Sequence, residues 1–195
     1  MARRWQVIFF ASAGLFLTLA LAVSWGGVFP PERDLYEWIT GAVSPGVVAI
    51  FRWINLLGNK WILVPAILLL LAAHPRILRR RWWLWLGVML GAPMLEALAK
   101  EIVGRPRPEA PSMGFPSGHV TAAAAFFVMA GYLGEKSLGS RPARTIVWIL
   151  AALFIVLVAI ARIVLRTHWP LDPLGGAALG LACAAAAAWW NEQPH

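Results

Sequence analysis

Six apolar runs, each near the length of a bilayer crossing, alternate with short segments that collect nearly all of the charge. They cover residues 5–25, 56–73, 82–99, 120–134, 146–163 and 174–190. Roughly 20 apolar residues in a helix cross about 30 Å of hydrocarbon. A helix also pairs its own backbone groups where no water is available. The pattern therefore predicts an all-α, polytopic membrane protein with six transmembrane helices in one bundle. No stretch reads as a separate soluble domain, so residues 1–195 are expected to form one membrane-embedded domain. Arg3 and Arg4 ahead of an apolar stretch ending in Ala20-Leu21-Ala22 also fit a cleaved signal peptide. The length of the run and its flanking Trp5 and Trp25 fit a retained anchor better.

The connections carry their own signals. Residues 26–45 are broken by Pro30, Pro31 and Pro45 and contain Glu32, Arg33, Asp34 and Glu37. They predict an external connection with a short amphipathic helix over 34–42 along the membrane surface. Residues 47–57, with Arg52 and Asn55, then continue as the outer end of the second membrane helix. Segment 103–116 holds Gly104, Pro106, Pro108, Pro111, Gly114 and Pro116, a density of breakers that leaves neither helix nor strand. Residues 76–81, with Arg76, Arg79, Arg80 and Arg81, and residues 135–144 predict turns on the opposite side. The first turn is expected beside anionic lipid headgroups.

Composition agrees, with 60% hydrophobic and 13% charged residues. The formal net charge of +8 invites nucleic-acid binding, but the basic residues fall between the apolar runs, where the positive-inside rule accounts for them. No nucleic-acid partner is expected. Arg3, Arg4, the arginines of 76–81, Lys136, Arg141 and Arg144 share one side. If the cations of the motifs below are set aside for an anion, that side is the richer and is cytoplasmic. Both termini then lie inside and the motif loops outside; with the motif cations counted, the bias is weak. Trp5, Trp25, Trp61, Trp82, Trp83, Trp148, Trp189 and Trp190 lie near run ends and predict interfacial belts. Cys183 is the only cysteine, so neither an intrachain disulfide nor a Cys-rich metal site is possible. Gly176 and Gly180 form a Gly-x3-Gly pair that predicts close helix packing.

Ionisable groups at the ends of the apolar runs stand out, because such groups are costly near hydrocarbon. Lys100 ends the third run, and Arg107-Pro108 follows in the Pro-rich loop. Pro116-Ser117-Gly118-His119 opens the fourth run. Ser117 suits an N-cap, Gly118 lets backbone approach a ligand, and the first amides of that helix can face an anion. Arg162 ends the fifth run. His168 and Asp172, four apart around Pro170, begin the sixth, a spacing at which the carboxylate can reach the imidazole and fix its tautomer. Singly, these are a snorkelling lysine, a helix cap and an interfacial histidine. Together, three cations, two imidazoles and a carboxylate on the outer side describe a site that binds and attacks an anion. Glu96, four residues before Lys100, is placed to pair with it.

The set resembles the type 2 phosphatidic acid phosphatase family, relatives of the vanadium haloperoxidases and bacterial class A acid phosphatases. The family signatures are Lys-x6-Arg-Pro, Pro-Ser-Gly-His and Ser-Arg-x5-His-x3-Asp. Here they are Lys100 with Arg107-Pro108, the full 116–119 motif, and Arg162, His168 and Asp172, with Ala161 where the signature has Ser. Arg105-Pro106 breaks the x6 spacing and is taken as a decoy. The resemblance implies a lipid phosphatase that works through a phosphohistidine. Its substrate is expected to be a lipid phosphate monoester or diphosphate: undecaprenyl diphosphate, phosphatidylglycerophosphate or phosphatidate. It implies His168 as nucleophile, Asp172 as its orienting partner and His119 as general acid and base. Lys100, Arg107, Ser117, Gly118 and Arg162 would hold the phosphate, with no metal or cofactor. Three alternatives remain at this stage. One is a lipid phosphotransferase that uses the same intermediate. Another is a vanadate-dependent oxidant, disfavoured because such relatives are soluble. The last is a non-catalytic lipid-binding or transport protein, against which none of the charged positions is missing.

Overall fold

The computed structural model describes residues 2–73 and 75–193, and the regular elements within them are helical. In chain order they are α1 (Ala2–Gly26), α2 (Pro30–Ala42), α3 (Pro45–Asn55), a 3-10 turn (Leu56–Gly58), α4 (Lys60–Ala73), α5 (Pro75–Val103), α6 (Gly118–Ser137), α7 (Arg141–Val164) and α8 (Leu171–Asn191). Prolines open α2, α3 and α5, where a missing N–H removes no helical bond. Ser44 and Ser140 cap α3 and α7, accepting from the amides of Val47 and Ala143.

Helices α6 and α8 form the centre, with α1 and α5 against α8 and α7 against α6. The close approach expected at Gly176 and Gly180 is present. A Cβ on Gly176 would lie 2.5 Å from the Ser117 carbonyl oxygen, and one on Gly180 would lie 2.4 Å from that of Thr121. Only glycine lets these two backbones touch. The buried cluster below contains Trp5, Trp85, Phe126, Met129 and Tyr132. Large apolar side chains on α1 and α7, including Leu15, Leu21, Ile149 and Leu153, point away from it, as they do when lipid is the solvent.

Helices α1, α7 and α8 are each long and apolar enough to cross a membrane, and α2 with α3 forms a further apolar pair bent by 112°. Several expectations need correction. Residues 47–57 do not run on into the second apolar helix. Instead, Asn59 caps a new start, its Oδ1 accepting the Trp61 amide at 3.0 Å and its carbonyl accepting those of Ile62 and Leu63. The amphipathic helix expected over 34–42 is present but begins at Pro30. The basic run 76–81 is not a turn, because Pro75 starts α5 ahead of it. Its side chains, and the expected contact with headgroups, lie outside the described residues, as does residue 74. Loop 104–117 has the expected irregular form, with one isolated bridge between Pro106 and Met113. Trp25, Trp61, Trp82, Trp83 and Trp190 are exposed as a belt requires, but Trp5 is only 3% exposed. It turns inward to meet the Tyr132 ring edge-on at 5.5 Å.

Candidate active site

Four chain segments meet above the α6–α8 contact: the end of α5 with the following loop, the start of α6, the end of α7, and the bend into α8. A backbone bond from the Ser117 amide to the Asp172 carbonyl, 3.0 Å long, ties the starts of α6 and α8 together. Asp172 is fully buried in the first turn of α8, where the helix dipole favours a negative charge. Its Oδ2 accepts from His168 Nδ1 and from the Trp169 amide, each at 3.1 Å. Its Oδ1 accepts from Arg105 at 2.8 Å. A Cβ on Gly114 would come within 2.8 Å of Oδ2, so the loop closes over the carboxylate only because that residue is glycine.

The consequence for His168 is specific. With the ring proton on Nδ1 and shared with Asp172, Nε2 is left unprotonated. Burial, opposed by the hydrogen bond and charge of Asp172 and assisted by Arg162 and Arg107, brings the His168 imidazole down to about 4. At neutral pH the ring is therefore uncharged, the state a nitrogen nucleophile needs.

The cations are held by partners that orient them. Arg162, 6% exposed, donates from Nη1 to Asn55 Oδ1 at 2.9 Å, and its buried Nε has no partner. Arg107 donates from Nε to the Met113 carbonyl at 3.1 Å, which leaves its terminal nitrogens for a ligand. Lys100 pairs with Glu96 as expected. Glu96 also explains Gly118, since a Cβ there would meet its Oε1 at 2.8 Å. Ser117 occupies the N-cap position but does not cap. Its hydroxyl is fully buried and unpartnered. An unmade hydrogen bond in such a place costs about 1–3 kcal/mol, so Ser117 Oγ and Arg162 Nε both call for an anion's oxygens. His119, half-buried in the first turn of α6, lies within the field of Arg162, His168, Arg107 and Lys100. The eight expected residues thus come together. Among the described residues no group of three His, Cys, Asp or Glu side chains could hold a metal ion.

The motif-bearing segment decides the family: residues 81–194 match the model described as the PAP2 superfamily. The chain belongs to the PAP2 superfamily. Phosphatidylglycerophosphatase B of Bacillus subtilis (strain 168) is 31% identical over 175 residues, covering 85% of this chain and 86% of the relative. The crystal structure of the transmembrane PAP2-type phosphatidylglycerolphosphate phosphatase from Bacillus subtilis has a TM-score of 0.83 at 28% identity, covering 94% of this chain and 96% of that one. The Aquifex aeolicus LpxE structure shares the fold at a TM-score of 0.59 and 22% identity, covering 83% of this chain and 97% of that one. The protein is a multi-pass membrane phosphatase.

Within this PAP2 site three residues were missed or misread. Arg105, set aside because it breaks the x6 spacing of the signature, has a place of its own: its side chain is 1% exposed and bridges Asp172 and Glu32. Glu32, expected in an external connection, is buried and accepts the Leu171 amide at 2.8 Å. Asn55, expected only as part of a membrane helix, is the partner of Arg162. A signal for Arg105 existed in the charge count, since Asp172 and Glu32 are carboxylates beside apolar segments and need a cation. Around the rim, Trp169 packs on Tyr36 at 4.8 Å and donates to the Pro106 carbonyl at 3.2 Å. Arg166 joins Glu109 at 3.2 Å and the Thr40 carbonyl at 3.2 Å. These contacts fasten α2 to the site. Ala161, where the family signature has Ser, is fully buried in α7 and leaves the charged set complete.

Proposed function

We propose that the chain, acting as one membrane-embedded domain over residues 1–195, hydrolyses a lipid phosphate through a phosphohistidine on His168. The observation that carries this reading is His168 Nδ1 held by buried Asp172, with the ring in the field of Arg162 and Arg107. Nε2 attacks phosphorus, and the bond from phosphorus to the leaving oxygen breaks. His119 supplies that oxygen with a proton. His119 then takes a proton from the water that attacks the phosphohistidine. Inorganic phosphate leaves and Nε2 is regenerated. Lys100, Arg107 and Arg162, with the Ser117 hydroxyl and the Gly118 backbone, neutralise the charge that spreads over the phosphoryl oxygens. Three cations supply the electrostatic work that a metal does elsewhere.

The substrate class follows from what lies below. A groove of about 270 Å³ is lined by Phe9, Ala13, Phe16, Leu17, Leu179 and Ala186. Phe16 at its upper end stacks on Phe115 at 5.9 Å, two residues before Ser117. A phosphate above and an apolar tail below describe phosphatidylglycerophosphate, the compound in the relatives' names, and equally phosphatidate or undecaprenyl diphosphate. Purified protein given each lipid should release inorganic phosphate without added metal. Label passing to a second lipid hydroxyl instead would make the protein a phosphotransferase. No release from any of them, with label retained in the starting lipids, would favour a binding protein. Ala13→Trp, which fills the groove, should raise KM about ten-fold for a long-chain lipid phosphate and leave a short-chain soluble one unchanged, since burying an indole removes room for several methylenes. Equal effects on both would break the link between groove and tail.

The same reading includes six membrane crossings, cytoplasmic termini and an outward-facing site. Cysteine placed by Glu109→Cys in a Cys183→Ala background should react with an impermeant thiol reagent on intact cells. Cysteine placed by Ser140→Cys should react only after the membrane is opened. The reverse pattern would put the site in the cytoplasm.

A further inference from the structure

Among the described residues that the proposed chemistry leaves unused, the most heavily buried charges are Arg105 and Glu32. Arg105 donates to Asp172 Oδ1 at 2.8 Å, and its other terminal nitrogen is paired with Glu32 Oε2. Glu32 uses its second oxygen on the Leu171 amide at 2.8 Å, one residue before Asp172. Side-chain exposure is 1% for Arg105, 4% for Glu32 and 0% for Asp172. Water is therefore not available to replace any of these bonds. An uncompensated carboxylate in such surroundings is costly, and one guanidinium between two carboxylates balances only one of them. The charge that remains lies against His168.

We infer that Arg105 and Glu32 are positioning residues that set the orientation and proton affinity of His168 through Asp172. The inference rests on the proposed reading of His168 as nucleophile and extends it to two residues outside the catalytic set. Fixing Oδ1 on Arg105 leaves the carboxylate one way to turn, with Oδ2 toward Nδ1. Fixing Arg105 on Glu32 ties that rotamer to α2, far away in sequence. The two charges act in opposite directions. Arg105 draws electron density from Asp172 and weakens its hold on the imidazolium. Glu32 opposes Arg105 and strengthens that hold. The other charged or titratable groups near the ring are Arg162 on α7, Arg107 on the loop and His119 on α6. The Tyr36–Glu109–Arg166 cluster lies on the outer rim. None of these is altered by changes at 105 or 32.

The test uses full-length protein in detergent with isotope-labelled histidine. The chain has four histidines, so the ring signals can be separated, and His168→Gln identifies the one of interest. Arg105→Gln should move the His168 midpoint up by about one pH unit, and Glu32→Gln should move it down. Both should lower kcat about ten-fold with KM within about two-fold of wild type, as loss of a supporting partner does. Arg105→Lys, which keeps a cation between the carboxylates, should restore the midpoint. In an Asp172→Asn background Glu32→Gln should change kcat by less than about two-fold, because the route is already cut. If Arg105→Gln does not fold, Glu32→Gln and Arg105→Lys still decide. Midpoints that stay put, or that move the same way in both variants, would overturn the inference. The titration is read without substrate, so it stands apart from the nucleophile. Turnover that survives in His168→Ala would reject the proposed chemistry whatever the midpoints do.

Discussion

His168→Ala should show no measurable turnover and trap no phosphoenzyme, while Asp172→Asn should fold and turn over about 10³–10⁴-fold more slowly. The two variants separate two jobs. On the proposed reading, removing the imidazole removes the atom that forms the bond to phosphorus, and no neighbouring group is placed to replace it: His119 enters from a different helix, and the Asp172 carboxylate is occupied by Arg105 and the Trp169 amide. Replacing the carboxylate with an amide keeps the shape but offers the ring a donor as easily as an acceptor. The ring can then protonate Nε2 in place of Nδ1, and the attacking lone pair is lost from most molecules. The amide also leaves Arg105 and the Trp169 amide with a weaker acceptor at the positions now 2.8 and 3.1 Å away. Alkaline detergent quench of enzyme mixed with a radiolabelled lipid phosphate, followed by counting of protein label that survives base and is released by acid, is the measurement. Label that persists in His168→Ala would move the nucleophile elsewhere.

The second large effect belongs to Arg162. Arg162→Ala should lower kcat about 10²–10³-fold, the scale of losing one fixed donor to a charge that develops during reaction. KM should rise less, because the ground-state phosphate keeps Lys100 and Arg107. Arg162→Lys should recover little of the loss. A lysine supplies one charged point, whereas Arg162 holds Asn55 with Nη1 and still has its buried Nε unpaired. Asn55→Ala should cost about ten-fold by freeing the guanidinium to turn. Steady-state kinetics on a short-chain substrate measure all three. Recovery of full activity by lysine would show that only charge, and not the fork, is used.

Hydropathy was a good guide to the parts of the fold that lipid dictates. Helices α1, α7 and α8 are legible because a long apolar run has one stable form in a bilayer. The break between α3 and α4 was not, since apolar character runs on past it and the stop is made by one side chain, Asn59, at a local cap. Trp5 was misassigned for a related reason: tryptophan serves equally at an interface and in a core, and only the position of Tyr132 decides between them. In the site, residues at fixed spacing within one segment were readable, as the His168–Asp172 bond shows. Residues brought in from distant segments were not. Glu32 and Asn55 meet their partners across 73 and 107 positions, and nothing periodic links such pairs. Arg105 was overlooked because a spacing rule chose between two Arg-Pro pairs, when burial of two carboxylates already required a cation for each role.

The bent pair α2–α3 has a consequence for how this catalytic unit can be cut or grafted. The segment that matches the family, residues 81–194, contains every residue of the three signatures but neither Glu32 nor Asn55. Transplanted alone, it would carry two buried guanidinium groups, Arg162 without Asn55 and Arg105 with only Asp172 of its two carboxylates. The portable module is larger than its recognisable portion. Exchange between homologues should succeed when the crossover falls before Pro30 and fail when it falls between Asn55 and Lys100, unless the incoming half brings its own acid and amide to those two arginines.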